Sequence, residues 1–225
     1  MYQGGIGKSY GVKNNLLYQI SEFKVETGFS RALLNTSKSM HFRYGIFEVR
    51  QIAGTAPGAT SALWFSDAAG LADGCEIDLY ENFGTDKLQC NLHTWAQYNT
   101  IHTQHGGKDF VKTAARPAEG ENFYDTFHYI GMEWIDDFID FYLDGEIFCS
   151  VPMTDEKWYA FEQKVYPRLN VSVIGGFYLW DTTNGYIGQN TGIQDLLNYG
   201  VTQYTDYVRI YQKNGERQRI WDFVA

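Results

Sequence analysis

Three acidic residues, Glu76, Asp78 and Glu81, lie close together in the stretch DGCEIDLYENFG, among apolar side chains. Carboxylates are normally depleted from the interior of β-strands, so their crowding here calls for a reason. Three like charges on one surface cannot all ionise easily, and at least one of the three is expected to keep its proton. A protonated glutamic acid beside an ionised glutamate can act as an acid and a nucleophile in one reaction.

The spacing of the three acids requires an irregular strand. Side chains alternate between the two faces of a strand, so Glu76 and Asp78 share a face and Glu81 points to the other one. A β-bulge at Leu79 or Tyr80 shifts the alternation by one residue and returns Glu81 to the face of the other two acids. The outer α-carbons are then about 13 Å apart. On a concave sheet, the two long side chains could lean together to the roughly 5–5.5 Å carboxyl separation of a retaining glycosidase.

Two other interpretations of the acidic strand remain open at this point. Alternating acids can mark a strand face exposed to solvent, and neighbouring carboxylates can bind calcium. The apolar residues Ile77, Leu79 and Tyr80 between the acids make a simple solvated strand less favourable. The residue types therefore favour catalysis without excluding the other two.

The elements that must position these acids are short strands separated by turn residues, a pattern that predicts an all-β sandwich or barrel. The clearest segment is a meander between Phe127 and Phe148. In it, Asp144-Gly145 between alternating hydrophobic residues predicts a tight hairpin turn. The chain length of 225 residues fits one domain, which we expect to span residues 1–225.

The composition excludes several classes of partner. The formal net charge is −9 and no cluster of Lys and Arg occurs, which argues against nucleic acid. No apolar run approaches the roughly 18 residues of a membrane span.

The opening MYQGGIGKSY has no apolar leader segment, so we expect a secreted, periplasmic or cell-surface protein whose leader has been removed, although a cytosolic protein would look the same. The residues Cys75, Cys90 and Cys149 are expected to be buried free thiols.

Several segments together resemble glycoside hydrolase family 16. The acids match its E-x-D-x-x-E motif in the bulged form. Other matching segments follow in the family's order, and they are YGIFEVR, SALWFSD, LHTW, FHYIGMEWIDDFIDFYLDGEIF and TDYVRIYQ. The resemblance covers about residues 40 to 212 well and the earlier residues loosely.

The resemblance implies a β-jelly-roll sandwich of two antiparallel sheets with a concave substrate cleft. It also implies an endo-acting retaining β-glycanase, in which Glu76 is the nucleophile, Glu81 the acid/base and Asp78 the residue that orients the nucleophile. We expect a β-1,3- or mixed β-1,3/1,4-glucan substrate, a monomer and no required cofactor. The alternatives are an endo-enzyme of the same family that acts on galactans or host glycans, and a non-catalytic lectin-like domain.

Five further residues are candidates for substrate binding, each with a structural alternative. Trp64, Trp95 and Trp180 could stack on sugar rings or pack in the core, and Arg50 could bind sugar hydroxyls or form a surface ion pair. His93 resembles the family's histidine on the strand after the acids. We expect no catalytic metal. For a structural calcium ion, the resemblance leaves Asp206 as the one position that could contribute a ligand.

Overall fold

A computed structural model of the chain describes residues 9–24, 28–29, 31–56, 58–67, 74–94, 112–154, 161–173, 180–181, 185–186, 200–212 and 221–222. The strands in these residues are β1 (Tyr10–Lys13), β2 (Leu16–Ser21), β3 (Phe23–Lys24), β4 (Gly28–Phe29), β5 (Arg31–Asn35), β6 (Gly45–Ile52), β7 (Ala59–Asp67), β8 (Cys75–Asn82), β9 (Leu88–Thr94), β10 (Lys112–Ala115), β11 (His128–Trp134), β12 (Phe138–Leu143), β13 (Glu146–Pro152), β14 (Val165–Val173), β15 (Trp180–Asp181), β16 (Gly185–Tyr186), β17 (Val201–Tyr211) and β18 (Trp221–Asp222). No helix in these described residues is long and apolar enough to cross a membrane.

The longer strands form two antiparallel sheets. The eight-stranded sheet has the order β1-β2-β17-β6-β11-β12-β13, with β18 paired to β17, and the six-stranded sheet has the order β10-β9-β8-β7-β14-β5. Strands that are distant in sequence are neighbours in both sheets, as β17 and β6 are in the first and β14 and β7 are in the second. The predicted fold class, a jelly-roll sandwich of two antiparallel sheets, is confirmed.

The core lies between the two sheets and is built by the alternation of side chains along each strand. On β6, Phe47 and Val49 are fully buried, whereas the residues between and beside them are partly exposed. The ring of Phe47 packs edge-to-face on Phe65 of β7, with 4.7 Å between the ring centroids. Because burial of this apolar layer is the main stabilising contribution, each sheet directs its remaining side chains to its outer face.

The predicted hairpin turn at Asp144-Gly145 is confirmed. Leu143 of β12 pairs with Glu146 of β13, which leaves a two-residue loop. Both loop residues have positive φ, 52° at Asp144 and 88° at Gly145. Positive φ at both central positions defines the type I′ turn, whose twist matches that of paired strands. The predicted meander is therefore present as β11, β12 and β13.

The three cysteines are free thiols, as predicted, but only two of them are buried. Cys75 and Cys90 lie in the core, and Cys149 is partly exposed. Burial, together with the nearby Asp67 carboxylate, raises the pKa of the Cys75 thiol far above its ordinary value. A thiol held protonated in this way is chemically inert, so Cys75 has a packing role.

Candidate active site

Strand β8 carries one residue more than its neighbours across the acidic stretch. Glu76 pairs with Ser66 of β7 and Glu81 pairs with Ala62, so six residues of β8 face five residues of β7. The extra residue is Leu79, because Asp78 and Tyr80 pair with the consecutive residues Trp64 and Leu63 of β7. Pairing with β9 is irregular at the same point, between Asp78 and Glu81. The predicted β-bulge is confirmed, and the structure assigns it to Leu79.

The bulge separates the apolar and acidic side chains of β8 onto opposite faces. Leu79 and Tyr80 are both fully buried, and the hydroxyl group of Tyr80 donates a 2.6 Å hydrogen bond to Oε1 of Gln51 in the opposite sheet. Glu76 and Glu81 are partly exposed. The strand therefore directs its three acids outward, onto a surface that we call the acid face: the outer face of the six-stranded sheet that carries Glu76, Asp78 and Glu81.

A histidine links two of the acids. His93 of β9 lies opposite Glu76, and its Nε2 atom is 3.0 Å from Oδ2 of Asp78 and 3.9 Å from Oε1 of Glu76. The amide nitrogen of Asn91 lies 3.0 Å from the same Nε2 atom. Asp78 itself is buried. These contacts hold the central acid in one position beside Glu76.

Sequence reasoning did not single out Asn91. It precedes His93 by two residues on the same strand and so shares its face, which is the signal that could have found it.

The other flank of the acid face is formed by β14. Trp64 pairs with Arg168, and its indole Nε1 donates a 2.7 Å hydrogen bond to Oδ1 of Asn170. The guanidinium carbon of Arg168 lies 4.5 Å from the centre of the Trp64 ring system. The structure thus places Trp64 on the acid face, and its role in sugar binding stays a prediction. Arg168 and Asn170 were not predicted as site residues. They are two residues apart in YPRLNVSV, and this spacing puts both side chains on the same face of the strand.

Arg50 is corrected by the structure. It lies on β6, in the eight-stranded sheet, where its neighbours Val49 and Gln51 point into the core and Arg50 points to that sheet's outer face. There its Nη1 atom donates to Oδ2 of Asp206 at 2.7 Å, and both side chains are about one-third exposed. Arg50 therefore forms a surface ion pair, which was the alternative to sugar binding, and it does not contribute to the acid face.

Two predicted sugar-binding residues cannot be placed at the site. Trp95 lies outside the described residues. The backbone of Trp180 is described as part of β15, which pairs with β16 in a separate two-stranded ribbon, but its side chain lies outside the description. Their roles in substrate binding stay predictions.

Two groups among the described residues bring three potential metal-ligand atoms within 4.8 Å of one another. The first is Glu76, Asp78 and His93, which is the candidate catalytic group itself. The second is Glu121, His128 and Asp144.

The donor atoms of these two groups are not those that calcium prefers. In the second group, both ring nitrogens of His128 already lie within hydrogen-bonding distance of protein oxygen atoms, at 2.7 Å from Asp144 and 3.0 Å from Asn122. Calcium prefers a shell of six to eight oxygen ligands, and each of these groups of described side chains offers two carboxylates and a histidine nitrogen. Asp206, the one position that could contribute a ligand to a structural calcium ion, accepts a hydrogen bond from Arg50.

With this geometry established, comparison with known proteins identifies the family. The model of the glycosyl hydrolases family 16 matches residues 8–195. The chain belongs to glycosyl hydrolase family 16. The fold agrees with solved laminarinases. The catalytic domain of an endo-1,3-beta-glucanase (laminarinase) from Thermotoga petrophila RKU-1 superposes with a TM-score of 0.73 at 23% identity, covering 93% of this chain and 82% of that one. The laminarinase catalytic domain from Thermotoga maritima MSB8 superposes with a TM-score of 0.71 at 22% identity, covering 92% and 82%.

Curated relatives of this family 16 chain include both enzymes and a binding protein. Glucan endo-1,3-beta-glucosidase A1 of Niallia circulans is 25% identical over 201 residues, which is 82% of this chain and 26% of the relative. The beta-1,3-glucan-binding protein of Penaeus monodon is 26% identical over 244 residues, covering 83% of this chain and 64% of the relative. A beta-glucanase of Rhodothermus marinus is 26% identical over 199 residues, covering 82% and 63%. The chain thus spans less than two thirds of each of these three relatives.

Proposed function

We propose that this family 16 chain is an endo-acting retaining β-glycanase that hydrolyses internal bonds of a β-1,3-glucan, or of a mixed β-1,3/1,4-glucan. The observation that carries the proposal is the bulge at Leu79, which places Glu76, Asp78 and Glu81 on one face. The names of the relatives from Niallia circulans and Rhodothermus marinus support a glucan substrate.

In the proposed mechanism the two outer acids act in turn. The carboxylate of Glu76 attacks the anomeric carbon while the carboxylic acid of Glu81 donates its proton to the leaving oxygen, which breaks the glycosidic bond and forms a glycosyl-enzyme. Glu81, now a carboxylate, takes a proton from water as the water attacks the same carbon. The Glu76 carboxylate is released and the configuration of the sugar is retained. Side chains supply the nucleophile, the acid and the base, so this chemistry requires no cofactor.

The central acid prepares its neighbours for these roles. Asp78 lies between the two glutamates in the sequence and is buried from solvent. It contacts His93, whose Nε2 atom lies 3.9 Å from Oε1 of Glu76. A carboxylate on the same face disfavours ionisation of a neighbouring acid. His93 and Asn91 hold Asp78 in place, so we assign them positioning roles.

A binding function without catalysis is the second candidate. It is favoured by one observation, the relative from Penaeus monodon that is named a beta-1,3-glucan-binding protein. Binding alone does not need three carboxyl groups crowded on one face, and that crowding costs electrostatic free energy. The complete acid group therefore supports the hydrolase over the binding protein.

The test measures new reducing ends from laminarin, mixed-linkage glucan, xyloglucan, agarose, carrageenan and porphyran. We expect the wild-type protein to cleave laminarin or mixed-linkage glucan, and Glu76→Gln to lose about 100-fold or more of that rate. Glu146→Gln serves as the matched control, because Glu146 is exposed at the start of β13 in the other sheet. NMR of the first product should show the β-anomer.

Three outcomes of this test would contradict the proposal. Binding of a glucan with no cleavage of any polysaccharide would establish the glucan-binding alternative. Undiminished cleavage by Glu76→Gln would remove Glu76 from the mechanism. An α-anomer as first product from a β-linked substrate would exclude retention.

A further inference from the structure

A cation lies on the acid face in line with the central acid. Arg168 of β14 pairs with Trp64 of β7, and Trp64 pairs with Asp78 of β8, so the three residues form a row across three adjacent strands. Neighbouring strands are about 4.8 Å apart, which puts the backbones of Arg168 and Asp78 about 10 Å apart. A glycan lying across the strands would therefore meet Arg168 with a sugar beside the one that is being cleaved.

The guanidinium of Arg168 is held rigidly by aromatic side chains. Its carbon lies 4.5 Å above the Trp64 ring centre and 5.1 Å from that of Tyr166. Its Nη2 atom donates a hydrogen bond to the hydroxyl group of Tyr166. The Tyr166 ring in turn packs edge-to-face on His41, with 5.4 Å between centroids. These contacts favour one orientation of the guanidinium, which reduces the entropy lost when it binds a ligand.

The hydrogen-bonding capacity of Arg168 is largely unused within the described residues. A guanidinium has five N–H donors, and the one bond described here goes to Tyr166. The Nε atom is buried and has no hydrogen-bond partner in the described part of the chain. No carboxylate among the described residues forms a salt bridge with Arg168, whereas Arg43, Arg50 and Arg116 each pair with an aspartate.

The indole of Trp64 is correspondingly less available than a bare aromatic platform. One of its faces is covered by Arg168, and its Nε1 atom is bonded to Asn170. The guanidinium in this row of residues is therefore a planar donor group that packs against an aromatic ring.

We propose that Arg168 is a substrate-binding residue of the acid face, and that its guanidinium donates hydrogen bonds to the hydroxyl oxygens of a sugar beside the cleavage point. Trp64, in this proposal, supports the guanidinium and does not stack on that sugar with the face that Arg168 covers. The proposal rests on the proposed hydrolysis of a β-glucan and adds a residue that determines how a second sugar is recognised.

The experiment compares kcat/KM for β-1,3-linked glucose oligosaccharides of increasing length, using wild type and Arg168→Met. For oligosaccharides long enough to reach Arg168, we expect the variant to lose about tenfold to a hundredfold in kcat/KM, the effect of hydrogen bonds from a charged donor. The loss should appear in KM with kcat little changed, because a sugar whose own bonds do not react is bound equally in the ground and transition states. Cleaved substrates too short to reach Arg168 should be unaffected.

Two further variants separate binding from general structural effects. Arg168→Lys keeps the charge but lacks the planar fork, and should recover only part of the loss. Arg209→Met removes an arginine that also stacks on an aromatic ring, 3.7 Å from the centre of Tyr207, but in the eight-stranded sheet. It should leave kcat/KM unchanged at every length.

The subsite proposal would be overturned if Arg168→Met lost equal activity on short and long oligosaccharides, or lost none. It has a test that does not depend on turnover. Calorimetric binding of a long oligosaccharide to Glu76→Gln should weaken by the same factor when Arg168→Met is added, and unchanged affinity would also overturn it. If the wild-type protein cleaved no glucan but bound one through Arg168, the proposed hydrolysis would fail while the subsite stood.

Discussion

Deletion of Leu79 tests the central structural inference, that this residue is the extra one in β8. Without it, Asp78 is followed by Tyr80 and then Glu81, and five residues of β8 face five residues of β7. Regular alternation then puts Asp78 outward, Tyr80 inward and Glu81 outward, so the acid face keeps its three carboxyl groups. We therefore expect the deletion variant to retain hydrolytic activity, although a residue has been removed between two catalytic acids.

The same deletion should lower stability. The Leu79 side chain is fully buried, and removal of a buried leucine side chain costs about 2–5 kcal/mol in the free energy of unfolding. Some of this loss is offset, because the ladder between β8 and its neighbours becomes regular. Urea unfolding followed by fluorescence gives the free energy, and initial rates on laminarin give the activity.

Two comparison variants make the result decisive. Leu79→Ala keeps the bulge and should lower stability with kcat/KM unchanged. Glu81→Gln keeps the fold and should lose about 100-fold or more of the rate. If the Leu79 deletion variant folds, by near-ultraviolet circular dichroism, yet loses as much activity as Glu81→Gln, the reasoning about the bulge is wrong. If the deletion variant does not fold, a crystal structure of Leu79→Ala shows whether Glu81 lies on the same face of the sheet as Glu76.

Two further predictions concern groups away from the acid face. Tyr80→Phe removes the 2.6 Å hydrogen bond to Gln51 and should lower the free energy of unfolding by about 1–3 kcal/mol, measured in urea, with kcat/KM unchanged; an equal loss of kcat/KM would instead link Tyr80 to catalysis. Burial alone would lower the pKa of His128, but hydrogen bonds to Asp144 and to the carbonyl group of Asn122 outweigh it and raise the pKa. Its stabilising effect is thus complete below the ordinary value of about 6.5 and is lost as pH rises through the raised pKa. The urea midpoint of the wild-type protein should therefore fall as pH rises through this range, and that of His128→Gln should not. Identical pH profiles for the two proteins would contradict the assignment of this effect to His128.

Much of the acid site could be predicted from the sequence because it depends on short-range rules. The alternation of side chains, the three acids and the need for an extra residue all lie within one strand, so the bulge follows from the spacing of Glu76, Asp78 and Glu81. The choice between Leu79 and Tyr80 did not follow, because both are apolar and both are buried. Only the pairing of β8 with β7 distinguishes them.

The interpretation of Arg50 shows where such rules end. Its strand alternates as predicted, but alternation does not say to which sheet a strand belongs or what covers its outer face. The pairing of β6 with β17 brings Asp206 to Arg50 across 156 positions of sequence and makes an ion pair on the opposite sheet. Arg50 could donate hydrogen bonds to a sugar, but it lies in the eight-stranded sheet and not in the sheet that carries the three acids.

The sequence by itself determined the class of fold, the turn at Asp144-Gly145 and the identity of the acidic group, because strand periodicity, turn conformation and charge crowding are properties of neighbouring residues. Only the tertiary structure decided what stands beside that group. Trp64 and Asn170 are 106 positions apart and meet because β7 and β14 pair, and the same pairing brings Arg168 onto the acid face. Contacts between distant strands depend on the order and register of the whole sheet, which no local pattern specifies.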